Sequence, residues 1–151
     1  MIEVVVGRGD TAEARELVAA MEDWVTDGFG PTTPDRTSTV AAAEMVPPDG
    51  AFVVVREDGR PVAGGGIRRL EPAVCEIKRM YVVPEARGRG HGRRVLEALE
   101  RVAVRLGYRR ARLDTAQSMT TAMGLYESAG YRPIPDYNGN GYASFWGEKQ
   151  L

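Results

Sequence analysis

The chain has 151 residues, with 20 Lys or Arg against 21 Asp or Glu and a formal net charge of −1. At 43% hydrophobic and 27% charged, this composition suits one folded domain over residues 1–151 and excludes a multidomain machine or a disordered chain. No apolar run approaches the about 18 residues of a membrane helix, and Met1 to Val6 leads into Gly-Arg-Gly-Asp, not into an apolar signal core, so a cytoplasmic protein is expected. The single cysteine, Cys75, allows no internal disulfide and agrees with a reducing compartment. With one histidine, His91, and no clustered carboxylates, no metal site is expected.

Residues 2–6 read as a short strand. Asp10 or Thr11 then caps a helix on which Ala14, Leu17, Val18, Met21 and Val25 recur at helical spacing. Gly28 to Pro34 reads as a loop, and Asp35 to Met45 as a second short helix stopped by Pro47-Pro48. Ala51 to Arg56 is a β-branched run, Glu57-Asp58-Gly59-Arg60 carries the Asp-Gly hairpin signal, and Pro61 to Leu70 returns as the partner strand. Gly64-Gly65-Gly66 interrupts that strand, as a bulge or as the close approach of another element. After the Glu71-Pro72 turn, Val74 to Val83 makes a third consecutive strand, ended by Pro84.

From Gly92 the period changes. Val95, Leu96, Leu99, Val102, Ala103 and Leu106 share one helical face, and Gly107 stands where a C-terminal cap belongs. Arg109 to Thr115 is a strand, and Thr121 to Ala129 a short helix ended by Gly130. Tyr131 to Ile134 and Tyr142 to Glu148 are two last strands around a Gly/Asn loop. The order β-α-α-β-β-β-α-β-α-β-β describes an α/β layer fold in which an antiparallel meander leads into one βαβ crossover.

The near-zero net charge hides an asymmetry, because residues 78–112 hold eleven Lys or Arg against three acids. Inside this stretch, Pro84-Glu85-Ala86-Arg87-Gly88-Arg89-Gly90-His91-Gly92-Arg93 joins a strand end to a helix start. First-turn N–H groups lack intrahelical acceptors, the helix dipole is positive there, and glycines let the backbone approach an anion closely. Arg87, Arg89 and Arg93 can add charge-assisted hydrogen bonds. A Walker A loop is excluded, since no Lys-Ser or Lys-Thr lies near. A dinucleotide fingerprint fails as well, since its third glycine position is Arg93 and the loop follows a meander.

Arg87-Gly88-Arg89-Gly90-His91-Gly92 resembles the Gln/Arg-x-x-Gly-x-Gly/Ala loop of the GNAT N-acetyltransferases. The resemblance extends from Cys75-Glu76-Ile77-Lys78-Arg79-Met80-Tyr81-Val82 through Leu113-Asp114-Thr115 and Leu125-Tyr126-Glu127-Ser128-Ala129-Gly130-Tyr131. It continues to Tyr137-Asn138-Gly139-Asn140, Trp146 and Glu148-Lys149. About half of the chain takes part, and residues 7–50 carry none of the family's signature. The fold this implies is a mixed, mostly antiparallel sheet with a central splayed parallel strand pair, flanked by about four helices.

The activity it implies is transfer of the acetyl group of acetyl-CoA to a primary amine of a small molecule or peptide, by direct attack in a ternary complex. No metal takes part, and Cys75 is no acyl carrier. The main chain of Met80, Tyr81 and Val82 is expected to pair with the pantetheine arm, in a strand that carries a bulge in the family. The pyrophosphate is expected on Arg87, Gly88, Arg89, Gly90, His91, Gly92 and Arg93, with the His91 ring taking no catalytic part. Acyl transfer needs a deprotonated amine, a stabilised oxyanion and an acid for the leaving thiolate. The resemblance assigns the acid to Tyr126 and oxyanion stabilisation to a backbone N–H near Val82. It makes Glu76 the general base, working directly or through water; the alternative for Glu76 is an ion-pair partner of Lys78 or a nearby arginine.

Glu22, Asp23, Trp24, Asp27, Tyr137, Asn138 and Tyr142 fall where the family lines its acceptor cleft. Homodimers are common in such folds, and the sequence leaves that state open. A rival reading is an inactive acyl-CoA-binding sensor of the same fold. Nucleic-acid binding is not expected, since the basic charge clusters at one strand–helix turn without stacking aromatics.

Overall fold

Alternating branched side chains and one strongly amphipathic helix organise the molecule around a single sheet. The computed structural model describes residues 1–29, 42–117 and 119–151. Along the chain run β1 (Ile2–Gly7), α1 (Ala12–Phe29), β2 (Ala51–Glu57), β3 (Arg60–Glu71), β4 (Val74–Val82) and α2 (His91–Arg105). There follow β5 (Arg110–Thr115), α3 (Thr120–Ser128), β6 (Arg132–Pro133) and β7 (Phe145–Gln150). The sheet has seven strands in the order β1-β2-β3-β4-β5-β7-β6. Every neighbouring pair is antiparallel except β4 and β5, which are parallel.

Among the described residues three α-helices flank the sheet, where about four were expected. Of the expected helix from Asp35 to Met45, residues 35–41 lie outside the described residues, and Ala42–Glu44 is a 3-10 turn. Of the expected loop from Gly28 to Pro34, Gly28 and Phe29 belong to α1 and residues 30–34 lie outside the described residues; one glycine costs a helix only about 1 kcal/mol. At the other end Thr11 caps α1, its Oγ1 accepting the Ala14 N–H at 3.2 Å.

The period-two alternation of β2 sorts the core into two layers. Val53 and Val55 face α2, where Val95, Leu96, Leu99 and Val102 bury themselves with Ile67, Cys75, Ile77, Ala111 and Leu113. Phe52 and Val54 face the other way, against Ala14, Leu17 and Met45. Each such side chain contributes about 1.5–3 kcal/mol on burial, so α2 is held firmly against the sheet and its N-terminus is fixed beside the end of β4. The Asp-Gly hairpin forms as read: Asp58 (φ 52°) and Gly59 (φ 81°) both adopt the left-handed conformation of a tight two-residue turn.

The Gly64-Gly65-Gly66 run proves to be a close approach. A Cβ on Gly64 would lie 2.9 Å from Leu17 of α1, and one on Gly65 would lie 3.0 Å from Val95 of α2. The bulge lies opposite, on β4. Gly64 pairs with Tyr81 and Gly66 with Lys78, so Arg79 and Met80 together oppose Gly65, and Arg79 takes φ 61°. The bulge settles the faces that parity could not: Glu76, Lys78, Arg79 and Tyr81 turn to the α1 side, Ile77 and Met80 to the α2 side.

The last two strands are shorter than expected. Only Arg132–Pro133 pairs in β6, and β7 begins at Phe145, because the intervening loop satisfies its own backbone. Asp136 Oδ1 accepts the N–H groups of Asn138 and Gly139 at 3.0 and 2.7 Å, Asn138 Oδ1 that of Asn140 at 3.1 Å, and Asn140 Oδ1 that of Tyr142 at 3.0 Å. Such side-chain turns compete with a ladder.

Candidate active site

The sheet opens at its centre. β4 and β5 pair only at Val74 with Arg110, Cys75 with Ala111 and Glu76 with Arg112. From Ile77 onward β4 diverges from β5, and the edge of β4 toward the gap loses its sheet partner. Met80, Tyr81 and Val82 therefore present main chain to the gap between β4 and β5.

At the end of that gap the loop from Arg87 to Arg93 forms a nest. Gly88 and Gly90 both have φ 81°, a conformation that costs a residue with a Cβ about 1–2 kcal/mol. Arg87 N–H is taken by Pro84 O and Arg94 N–H by Gly90 O. Between them, the N–H groups of Gly88, Arg89, Gly90, His91, Gly92 and Arg93 meet no acceptor among the described residues. Six consecutive donors at a helix N-terminus make a concavity for an anion.

The arginine side chains are engaged elsewhere. Arg87 Nε donates to Val82 O at 2.9 Å, while its guanidinium covers the Trp24 ring at 4.7 Å and the Tyr81 ring at 5.6 Å. Arg89 pairs with Glu57 at 2.6 Å, and Arg93 donates to Ser128 Oγ at 2.6 Å. The His91 ring is buried beneath the loop, 3.1 Å from Glu57. What the loop offers an anion is thus backbone N–H groups, with the buried His91 ring turned to Glu57.

On the α1 face, a buried polar network spans the gap. Lys78 Nζ lies 3.0 and 2.9 Å from the two carboxylate oxygens of Asp114, and these side chains are only 9% and 7% exposed. Had the parallel ladder continued, Lys78 and Asp114 would be the next neighbours after Glu76 and Arg112, so the ion pair clasps the strands where their backbones have parted. Glu76 is fully buried, and both of its oxygens are taken. Oε1 accepts from Arg68 Nε at 2.9 Å, Oε2 from Tyr137 Oη at 2.7 Å and Asn138 Nδ2 at 3.1 Å, and Lys78 Nζ stands 3.7 Å away. Asn138 also donates to Asp114 at 2.5 Å and accepts from Trp146 Nε1 at 2.9 Å. Burial and the neighbouring Glu76 carboxylate push the Tyr137 phenol well above the usual tyrosine range.

Tyr126 projects from α3 into the core on the α2 side, its ring 6.1 Å from that of Tyr131. Burial raises its phenol well above the ordinary range, and Asp114 adds to the effect, so Tyr126 carries its proton throughout the neutral range. Its hydroxyl makes no hydrogen bond among the described residues. Cys75 is buried, and its thiol is pushed up to about 12, chiefly by desolvation; it is no thiolate at neutral pH.

Of the residues expected at the acceptor cleft, Glu22 pairs with Arg79 at 3.2 Å, Trp24 stands 6.3 Å from Tyr81, and Tyr137 and Asn138 join the buried network. Asp23 and Asp27 are exposed on α1. Sequence reasoning missed Asp114, Arg68 and Glu57. Asp114 had a signal: charges at alternate positions of central strands, Glu76 and Lys78 on one and Arg112 and Asp114 on the other, imply partners across the gap. Among the described residues, no three His, Cys, Asp or Glu side chains gather as a metal site, and no helix is long and apolar enough to cross a membrane.

The chain is similar to an uncharacterised N-acetyltransferase of Escherichia coli (38% identical over 94 residues, 60% of this chain and 55% of the relative). It is also similar to an IAA acetyltransferase of Azospirillum brasilense (38% over 88 residues, 58% of each). These matches span little more than half of the relatives' own length. Its fold is shared by a GNAT-family acetyltransferase of Staphylococcus aureus (TM-score 0.79, 15% identity, 100% of this chain and 99% of the other). It is shared too by the PaiA N-acetyltransferase of Thermoplasma acidophilum, solved with coenzyme A (TM-score 0.69, 15% identity, 100% and 99%). The family model described as Acetyltransferase (GNAT) family matches residues 16–131, a stretch that holds the splayed strand pair, the anion nest and Tyr126. On that match the chain belongs to the acetyltransferase (GNAT) family.

Proposed function

We propose that the protein is an N-acetyltransferase that moves the acetyl group of acetyl-CoA to a primary amine of a small molecule or peptide in a ternary complex. The observation that carries this reading is the run of six unpaired N–H groups from Gly88 to Arg93 at the end of the splayed pair. A pyrophosphate on that nest places a pantetheine arm along Met80 to Val82. The amine, having lost its proton to solvent, attacks the thioester carbonyl carbon. As the tetrahedral intermediate collapses, the C–S bond breaks, the thiolate takes the Tyr126 proton, the attacking nitrogen releases its second proton to solvent, and solvent reprotonates Tyr126. A phenol kept neutral by burial and without another hydrogen-bond partner suits that acid role.

Of the two roles the sequence allows Glu76, the donors around it support ion pairing. With both oxygens accepting, this carboxylate holds Tyr137 and Asn138 against the cleft. Direct transfer agrees with the buried, protonated Cys75, and a reducing, cytoplasmic setting fits its lone thiol.

Thermal unfolding with acetyl-CoA, CoA and ATP in parallel tests the reading. A ligand at about 100 times its Kd stabilises the native state by about 2.7 kcal/mol, a rise of roughly 5–10 °C for a chain of this size. Acetyl-CoA and CoA are expected to raise the midpoint and ATP to leave it unchanged. No shift with millimolar CoA refutes the cofactor site. Thiol release from acetyl-CoA with a panel of amines then separates an enzyme from a sensor.

A further inference from the structure

The nest poses a mechanical problem. Two left-handed glycines and six unpaired N–H groups leave the backbone from Gly88 to Arg93 without hydrogen bonds from its own N–H groups, and Gly90 at the start of α2 supplies no capping side chain. The support comes from the β2–β3 hairpin, 34 residues away in sequence at its key contact. Glu57, the last residue of β2, reaches the loop with both oxygens: Oε1 accepts from Arg89 Nη1 at 2.6 Å, and Oε2 lies 3.1 Å from His91 Nε2. Arg94 Nη1, which can only donate, stands 3.4 Å from His91 Nδ1. Glu57 Oε2 can only accept, so Nε2–H is the ring's donor toward it.

The same residues tie the loop to itself. Arg94 donates to Arg89 O at 2.7 Å, Arg89 to Glu85 O at 3.3 Å, and Arg60, across the hairpin from Glu57, pairs with Glu85 at 2.8 Å. A carboxylate beside an anion site would ordinarily repel the anion. Here its charge is spent on Arg89 and His91, two side chains whose own N–H groups belong to the nest.

We propose that Glu57 is a positioning residue for cofactor binding: by gripping Arg89 and His91 together it holds the Gly88–Arg93 N–H groups in the array that receives the pyrophosphate. This rests on the acetyl-CoA reading of the nest. Glu57 touches no part of the cleft where acyl transfer would occur, so its effect is confined to the pyrophosphate end of the cofactor. A Glu57→Gln side chain has the same shape but turns an amide N–H₂ toward one of two donors, so one of the two grips is lost.

The test is titration calorimetry with CoA, followed by steady-state kinetics with acetyl-CoA and with S-acetylpantetheine, which lacks the pyrophosphate. Glu57→Gln is expected to weaken CoA binding and raise KM for acetyl-CoA about tenfold, the loss of one charge-assisted hydrogen bond. It is expected to leave kcat at saturation and KM for S-acetylpantetheine unchanged. General damage to the fold would move both thioesters alike, which the pantetheine arm detects. In an Arg89→Met/His91→Asn background the Glu57→Gln effect is expected to vanish. Wild-type protein that fails to bind CoA overturns the acetyl-CoA reading itself. Wild-type binding with an equal or tighter Kd in Glu57→Gln overturns only the positioning role, tighter binding meaning that Glu57 competes for Arg89. Equal losses with both thioesters overturn it as well.

Discussion

Replacing Lys78 with methionine tests whether the Lys78–Asp114 clasp sustains the splayed pair. The substitution shortens the side chain by one atom and removes its charge. Asp114, only 7% exposed, is left with the neutral amides of Asn138 and Asn140 at 2.5 and 3.2 Å, and Glu76 loses the cation 3.7 Å away. Breaking a buried pair from one side costs about 3–5 kcal/mol, most of it the burial of an uncompensated charge. For a chain of this size that is a fall in Tm of roughly 6–20 °C. Asp114→Leu alone strands Lys78 and is expected to cost a similar amount. The double variant removes both charges, and apolar replacement of a buried pair is often close to neutral, so its cost should fall short of the sum of the single losses by at least about 2 kcal/mol. Urea unfolding followed by circular dichroism supplies the three values at constant m. Additivity within about 0.5 kcal/mol would refute the clasp.

Tyr126→Phe is expected to lower kcat by about a hundredfold, the lower end for loss of a general acid, with KM for acetyl-CoA little changed; an unchanged kcat removes Tyr126 from that role. The acid limb of stability has a predictable sign. Arg56, which donates to Glu13 through Nε at 2.8 Å, holds the Glu13 carboxyl below the ordinary glutamate range. A carboxyl depressed in the folded state contributes stability that is complete above its unfolded value and is lost as pH falls through the folded one. The urea midpoint should therefore decline below about pH 4.3, and Glu13→Gln should flatten that decline; an identical acid limb in the variant contradicts the assignment.

The elements that form from their own neighbours were legible in the sequence. The Asp58-Gly59 turn, the apolar face from Val95 to Val102, the Thr11 cap and the glycine loop before α2 each depend on residues within a few positions of one another, where periodicity and turn chemistry act directly. Family resemblance then supplied the mostly antiparallel sheet with a splayed parallel pair at its centre. The short β6 and late β7 were misread because Asp136, Asn138 and Asn140 spend their side chains on backbone N–H groups, a competition that strand propensity does not register.

What the tertiary structure alone decided concerns charge and distance. Lys78 and Asp114 lie 36 residues apart, Glu76 and Asn138 62, and His91 and Glu57 34. Nothing local in the sequence names the partner that each of them finds. The bulge at Arg79 turns Glu76 and Lys78 to the same face as Tyr81, and the parting of β4 from β5 after Glu76 and Arg112 puts Asp114 opposite Lys78 across a gap. Local sequence determines which residues can make helix, turn and nest, because those interactions are short-range. Which charges are buried, and whom they pair with, depends on strands brought together from distant parts of the chain.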